Sequence, residues 1–202
     1  MWAKVTAISL IRGSGYRTLR HPEYRSFASM QEIYSILRQK DTLFKPVNNF
    51  SRLDPIAKSA LCTAGLAVTD AAIAKDKQSN LGIIGESSRG CLEANTAYFR
   101  DYVDNGRQQG RGKLFVYTLP STPLAETAIA LGCQGPLFYT SFSENPLYNL
   151  LEQASQLADP ESETGMIAVY ADRDMGLGFI LQPTENKSSL SIQEALNWTS
   201  RY

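Results

Sequence analysis

Side chains that could attack a carbonyl group or hold a metal ion are few in this sequence. It has three cysteines (Cys62, Cys91 and Cys133) and a single histidine, His21. Nucleophilic catalysis by Ser or Cys usually needs a nearby general base, most often His. His21 stands beside Pro22 in a polar stretch, which favours a surface position over a catalytic one. A zinc site needs three or four clustered ligands, and the sequence clusters none. We therefore expect no metal and no cofactor, while carboxylate chemistry remains open.

A glycine pair offers a second kind of chemistry. Gly85 and Gly90, in the segment GESSRGC, have the glycine spacing of a phosphate-binding loop after a strand. The lysine and hydroxyl that should follow are replaced by Cys91 and Leu92, so nothing here reaches a terminal phosphate or magnesium. The pattern instead predicts a glycine turn that lets a strand and a helix pack closely.

Composition excludes several classes of partner. Lys plus Arg and Asp plus Glu balance at 20 each, so no net field recruits nucleic acid or an anionic membrane. The most basic stretch, Arg100 to Lys113, is interrupted by acids and glycines and predicts a solvated loop. No segment reaches the roughly 20 apolar residues of a membrane span. Three widely spaced cysteines do not suggest a disulfide framework. We expect a cytoplasmic protein.

Strands and helices alternate along the chain. The clearest helix runs from Asp54 to Lys75, where Asp54 can cap the helix and Pro55 suits its first turn. Its alanines and Gly65 predict close packing against a flat surface. Predicted strands cover residues 2–11, 81–85, 137–142, 166–170 and 176–181, and predicted helices cover 87–102, 120–131 and 146–157. This alternation predicts a layered α/β fold, with a mostly parallel central sheet flanked by helices, in a single domain over residues 1–202.

Several of these segments together resemble the N-terminal half of a β-ketoacyl synthase in the thiolase-like superfamily. The similarity covers about residues 50–172. RLD at 52–54 resembles the family's R-M-D, LGIIG at 81–85 its V-G-V-V-x-G, LP at 119–120 its L-P-x, AIALGCQGP at 128–136 its A-x-x-L-G-x-x-G-P, and MIAVY at 166–170 its A-x-V-x-x-A-G-G strand. The resemblance implies half of a thiolase-like fold.

Two departures from the family pattern bear on function. After G-P the family continues through a strand into T-A-C-x-S, whose Cys accepts the acyl group at the start of a buried helix. Counting from Gly135 without gaps places Glu144 at the cysteine position, and a small shift places Phe142 there. Neither can form a thioester. The sequence also stops before the family's second half, which carries two His, or His and Lys, for decarboxylation. The resemblance therefore implies a subunit that is not catalytic alone.

With these two departures, the sequence resembles the chain-length factors of type II polyketide synthases. They lack the nucleophilic Cys, pair with an active ketosynthase and shape its acyl-chain tunnel in polyketide or fatty-acid-like biosynthesis. The short length suggests the half-length partners of aryl-polyene systems. The resemblance implies a heterodimer whose contact strand is Leu137, Phe138, Tyr139, Thr140, Ser141 and Phe142, with Phe138 and Phe142 on the face opposite Leu137, Tyr139 and Ser141. Tunnel-lining candidates are Leu114, Phe115, Tyr117 and Leu119, among which Phe115 and Tyr117 would stop an elongating chain by bulk.

Two other functions remain open. Some family members carry Gln at the nucleophile position and decarboxylate malonyl groups, so Glu144 could serve a malonyl-carrier-protein decarboxylase. Otherwise we expect Glu144 to cap the helix from Pro146 or to bond across the interface. The third possibility is a stand-alone module that binds acyl carrier protein through basic side chains, with Arg100, Arg107, Arg111 and Lys113 as candidates.

Overall fold

The computed structural model describes residues 3–108, 110–161, 164–184 and 188–200. The strands of this part of the chain are β1 (Lys4–Arg12), β2 (Gly15–Thr18), β3 (Arg25–Ser26), β4 (Leu81–Glu86), β5 (Leu137–Tyr139), β6 (Gly165–Ala171) and β7 (Met175–Gln182). The helices are α1 (Met30–Gln39), α2 (Pro55–Ala71), α3 (Leu92–Asp104), α4 (Gly112–Val116), α5 (Thr122–Leu131), α6 (Pro146–Leu157) and α7 (Ile192–Ser200), with 3-10 turns at Phe50–Arg52 and Lys75–Asn80. Trp2, predicted as the start of the first strand, lies outside the described residues.

The described strands form one sheet in the order β3-β2-β1-β7-β6-β4-β5. The prediction of a mostly parallel sheet is wrong, because only the β4–β5 and β4–β6 pairs are parallel. The other four pairs, β1–β2, β1–β7, β2–β3 and β6–β7, are antiparallel. Short turns join β1 to β2 and β6 to β7, and such turns connect antiparallel neighbours only. Helical crossovers join β4 to β5 and β5 to β6, which gives the parallel part.

Helix α2 packs closely on one face of the sheet, as its small residues predict. The Asp54 carboxylate accepts a hydrogen bond from the Ile56 N–H at 2.8 Å and caps the first turn. The helix contacts β1, β6 and β7. The approach is close enough that a Cβ on Gly178 would lie 2.9 Å from the carbonyl oxygen of Thr63. The helix ends four residues earlier than predicted, at Ala71, because Ala72 is left-handed with φ 55°.

Helices α6 and α7 cover the opposite face. Leu150 and Leu151 of α6 are fully buried against the sheet. Arg17, on β2, holds α7 in place: its guanidinium carbon lies 4.1 Å from the centre of the Trp198 ring, and its Nη2 donates to the Trp198 carbonyl oxygen at 3.1 Å. The resemblance implied that α6 is a buried helix, but the side of α6 away from the sheet is exposed, with Tyr148 at 41%.

The segment between β4 and α5 folds as a pair of helices, α3 and α4. Residues 100–113, predicted as a loop, contribute the end of α3 and the start of α4. No described residue of either helix is fully buried. The pair lies at the surface of the fold and leaves several apolar side chains in contact with solvent. Within the described residues, no helix combines the length and apolarity that crossing a membrane requires.

Candidate functional site

Strand β5 forms one end of the sheet. It pairs with β4 on one side, where Ile83 N–H donates to the Pro136 carbonyl at 2.8 Å and Thr140 N–H donates to the Gly85 carbonyl at 2.9 Å. On its other side no strand of the described chain follows. The strand is shorter than the predicted range 137–142 and ends at Tyr139. Its outer edge offers backbone groups to a further strand.

Side chains of β5 alternate between the two faces of the sheet as predicted. Leu137 and Tyr139 pack against the core beneath α2 and α5. Phe138 lies beside Ile84 on the α6 face and remains 47% exposed. Phe142 follows on the α6 face, packed against the core there. The strand therefore presents an exposed aromatic ring next to its free backbone edge.

A narrow cavity of about 20 Å³ lies where β4 and β5 end beneath α5. It is large enough for about one water molecule. Tyr139, Tyr117, Cys91 and Leu124 are among its walls. The hydroxyl of Tyr139 lies 3.5 Å from that of Ser87. Burial raises the pKa of Tyr117, and the nearby charge of Glu126 raises it further. The cavity is thus walled by two tyrosines that enter it from different elements.

The four predicted tunnel residues do not share one cavity. Tyr117 faces the cavity, and it also borders, with Leu114, a neighbouring surface groove of about 260 Å³. Phe115 is 52% exposed and meets the ring of Tyr98 edge-on, with ring centres 5.6 Å apart. Leu119 is 51% exposed. Tyr139, which the sequence suggested only as an interface residue, is the side chain that joins Tyr117 at the cavity.

The start of α6 carries no cysteine. Glu144 is exposed, and the residue that precedes the helix is Asn145, with φ 44° and no side-chain cap. The prediction that Glu144 caps this helix is therefore wrong. Its carbonyl oxygen accepts a hydrogen bond from Asn149 Nδ2 at 2.7 Å. Phe142, the alternative nucleophile position, is half-buried, and its N–H donates to Glu86 Oε1 at 2.9 Å.

Glu86 is the buried acid of this region, and sequence reasoning missed it. It ends β4, is only 5% exposed and pairs in register with Tyr170 of β6. Burial raises the pKa of Glu86, and the hydrogen bond from Phe142 opposes that rise. The pKa of Tyr170 is also raised, first by burial and then by the charges of Asp172 and Glu86. The available signal is an acid directly after the apolar run 81–85, since β4 extends one residue beyond that predicted range, to Glu86.

The cysteines lie at other places. Cys62 is fully buried, and burial raises its pKa to about 12. Burial likewise raises the pKa of Cys133 to about 12. Cys91 is half-buried, and its thiol donates to the Thr118 carbonyl at 2.8 Å. The described residues contain no group of three or more His, Cys, Asp or Glu side chains arranged to hold a metal ion.

Neither the sequence profiles of known protein families nor the curated proteins match this chain. Among solved structures, the chain is similar to the ishigamide ketosynthase/chain length factor, with 15% identity and a TM-score of 0.63, covering 94% of this chain and 64% of that one. It is also similar to a structure of a ketosynthase (ApeO) in complex with its chain length factor (ApeC) from Xenorhabdus doucetiae, with 11% identity and a TM-score of 0.61, covering 91% and 80%.

A third similar structure is that of a type II polyketide synthase acyl-carrier protein in complex with its ketosynthase bound to the hexaketide, with 12% identity and a TM-score of 0.60, covering 97% of this chain and 64% of that one. At these identities the likeness is one of fold. The chain has the fold of ketosynthase and chain length factor proteins, as the sequence resemblance predicted. It spans less than two thirds of the length of two of the three proteins.

Proposed function

We propose that this chain is a chain-length-factor-like subunit that pairs with an active β-ketoacyl synthase and helps to shape its acyl-chain tunnel. The observation that supports this most directly is the free edge of β5. A short edge strand with an exposed aromatic residue, Phe138, is a surface that proteins usually cover. Pairing with a strand of the ketosynthase would continue the sheet and satisfy the backbone groups of that edge.

The surroundings of this edge favour a partner as well. Large apolar side chains are exposed on α3, α4, α5 and the following turns: Leu92, Phe99, Val103, Phe115, Val116, Leu119 and Ile129. Exposed apolar patches of this kind mark sites of protein association. Because α3 and α4 lack any fully buried residue, their apolar side chains gain most from a surface supplied by another chain.

The start of α6 supports a role without catalysis by this subunit alone. Neither Phe142 nor Glu144 can form a thioester. The N–H of Phe142 is already engaged by the Glu86 carboxyl group. Acyl transfer needs free donors where negative charge develops, and a carboxylate at that donor would oppose an oxyanion. Reaction chemistry would therefore come from the ketosynthase.

Tyr117 and Tyr139 are the residues we propose for limiting chain length. They wall one cavity behind the proposed interface strand, so an acyl chain arriving from the partner would meet their rings. Phe115 and Leu119 would act there only if the partner covered them. The assignment to an aryl-polyene-type pathway, to the cytoplasm and to direct contact with acyl carrier protein belongs to the same proposal.

Reconstitution tests this function. The chain would be combined with the ketosynthase encoded in its gene neighbourhood, an acyl carrier protein and malonyl groups, and products would be analysed by mass spectrometry. We expect elongation that requires both subunits, and no acylation of this chain. Elongation by the ketosynthase alone, with products unchanged by adding this chain, would contradict the proposal.

Exposed basic side chains favour a second candidate function, in which the isolated chain binds acyl carrier protein. Arg100, Arg107 and Lys113 are exposed, although Arg111 pairs with Asp101 at 3.2 Å. An acidic carrier protein could contact these cations. Binding of carrier protein by a stable monomer, without any ketosynthase, would support it. Nothing favours a decarboxylase based on Glu144, because that carboxylate is exposed at the protein surface.

A further inference from the structure

We infer that Glu86 is a positioning residue: its carboxyl group fixes residues 140–145, which connect the proposed interface strand β5 to α6. No sequence motif marks Glu86 for this role. Only the last step of the test, partner affinity, rests on the proposed function. The rest concerns this chain by itself.

The segment has few other anchors. Thr140 is joined to β4 by its N–H bond to Gly85. Beyond it, Ser141, Ser143 and Glu144 are exposed. The Phe142 side chain packs against the core, and the Glu144 carbonyl accepts a hydrogen bond from Asn149 of α6. The bond from the Phe142 N–H to Glu86 attaches the backbone in the middle of the segment to β4.

The backbone conformation of Asn145 also depends on how this segment is held. Asn145 has φ 44°, in the left-handed region that non-glycine residues rarely adopt. Such a conformation persists when the surrounding structure holds it. A hydrogen bond three residues earlier, at Phe142, limits the conformations from which the chain enters α6. Losing it would free both the end of β5 and the start of the helix.

Burying a carboxyl group at position 86 lowers the stability of the fold, which indicates that Glu86 has a role. Glu86 is buried, and its Oε2 has no hydrogen-bond partner among the described residues. An unpaired buried polar atom opposes folding. The neighbours that face Glu86 are Tyr170 on β6, with Asp172 and Ser88 around the tyrosine hydroxyl, and the Phe142 N–H. Among the described residues, no cation contributes to the pKa shift of Glu86.

Ionisation of Glu86 therefore changes the strength of the anchor. A carboxylate accepts a stronger hydrogen bond from an N–H than a neutral carboxyl group does. Burial favours the neutral form and raises the pKa of Glu86, although the hydrogen bond from Phe142 opposes that rise. The segment should consequently be held more tightly at neutral pH than at acidic pH.

Hydrogen exchange of the isolated chain tests this. Protection factors of residues 140–145, corrected for intrinsic exchange, would be measured between pH 4 and pH 8 in the wild type, Glu86→Gln and Glu86→Leu, with Glu152→Gln as a control on α6. We expect Glu86→Leu to lower protection about tenfold. Glu86→Gln should keep an acceptor but remove the dependence on pH, so the test stands even if Glu86→Leu does not fold.

Protection that is the same in all variants, or a pH dependence that persists in Glu86→Gln, would overturn the inference. The partner step follows separately. If wild type binds the ketosynthase, Glu86→Leu should bind about tenfold more weakly while Glu152→Gln is unchanged, and equal affinity would overturn the link between the segment and the interface. If wild type does not bind, the proposed function fails, whereas the exchange results still decide the role of Glu86.

Discussion

Phe138 of β5 and Ile84 of β4 are partners in the parallel ladder, yet Ile84 is fully buried whereas Phe138 is 47% exposed. The two residues face the same side of the sheet. They differ because, among the described strands, β4 has a neighbour on each side and β5 has one on its inner side only. The exposure of Phe138 is therefore a consequence of its place at the sheet edge.

Phe138→Lys should prevent association with the ketosynthase. A lysine on an edge strand is one of the features by which proteins block strand pairing. We expect the affinity for the ketosynthase to fall at least about a hundredfold, with little change in the free energy of unfolding because the residue is half-exposed. Isothermal titration calorimetry and urea unfolding would measure the two quantities.

Tyr24→Lys is a matched control for that variant. Tyr24 is 43% exposed and lies next to β3, at the opposite end of the sheet. Tyr24→Lys should leave the affinity for the ketosynthase unchanged. If Phe138→Lys binds as tightly as wild type, or both variants lose binding equally, β5 is not the contact strand.

Tyr117→Ala should lengthen the products of the reconstituted complex. Removing the ring enlarges the cavity shared with Tyr139, so the acyl chain can extend further before it meets a wall. Tyr24→Ala is the control, because Tyr24 lies next to β3 at the opposite end of the sheet and outside the cavity. Mass spectrometry of the products would detect a shift of about one extension unit. Equal product lengths for wild type and Tyr117→Ala would exclude Tyr117 from this role.

Gly178→Ala should destabilise the fold by about 1–3 kcal/mol. A Cβ at this position would lie 2.7 Å from Ser9 Oγ and 2.9 Å from the backbone oxygen of Thr63, so α2 would have to move away from β7. Gly112→Ala is the control, since a Cβ there meets nothing within 4 Å. Urea unfolding would compare them, and equal stabilities would show that α2 does not pack as closely as described.

Glu86→Gln should change how stability depends on pH. Burial raises the pKa of Glu86 above its ordinary value of 4.5, so the folded protein binds this proton more tightly than the unfolded chain. The resulting stabilisation is complete below that ordinary value and is lost as pH rises through the folded-state pKa. The free energy of unfolding of Glu86→Gln minus that of wild type should therefore be larger at pH 7 than at pH 4. A pH-independent difference in unfolding free energy would contradict this.

Some of this structure follows from local sequence, and some does not. Asp54, Pro55 and the alanines after them predict where α2 begins and how closely it packs, because capping and small side chains act locally. The direction of strand pairing depends on longer connections. Strands separated by helical segments predict a mostly parallel sheet, whereas β1 lies antiparallel to β7, more than 150 residues away. Local patterns carry no signal for that pairing.

The candidate site shows the same division. Alternation along Leu137, Phe138 and Tyr139 predicts which face each side chain occupies. The contact between Glu86 and Phe142 joins residues 56 positions apart. Its existence depends on the parallel register of β4 and β5, and no motif marks it. Counting positions from Gly135 places Glu144 at the family's cysteine position. In the structure the chain turns at Asn145, and the Glu144 carboxylate is exposed to solvent.

The most direct test of the central claim is co-expression with the ketosynthase from the same gene neighbourhood, followed by size-exclusion chromatography with mass determination. We predict a one-to-one complex for the wild-type chain, and its loss when Phe138 is replaced by Lys. A well-behaved monomer that elutes separately from the ketosynthase would contradict the account.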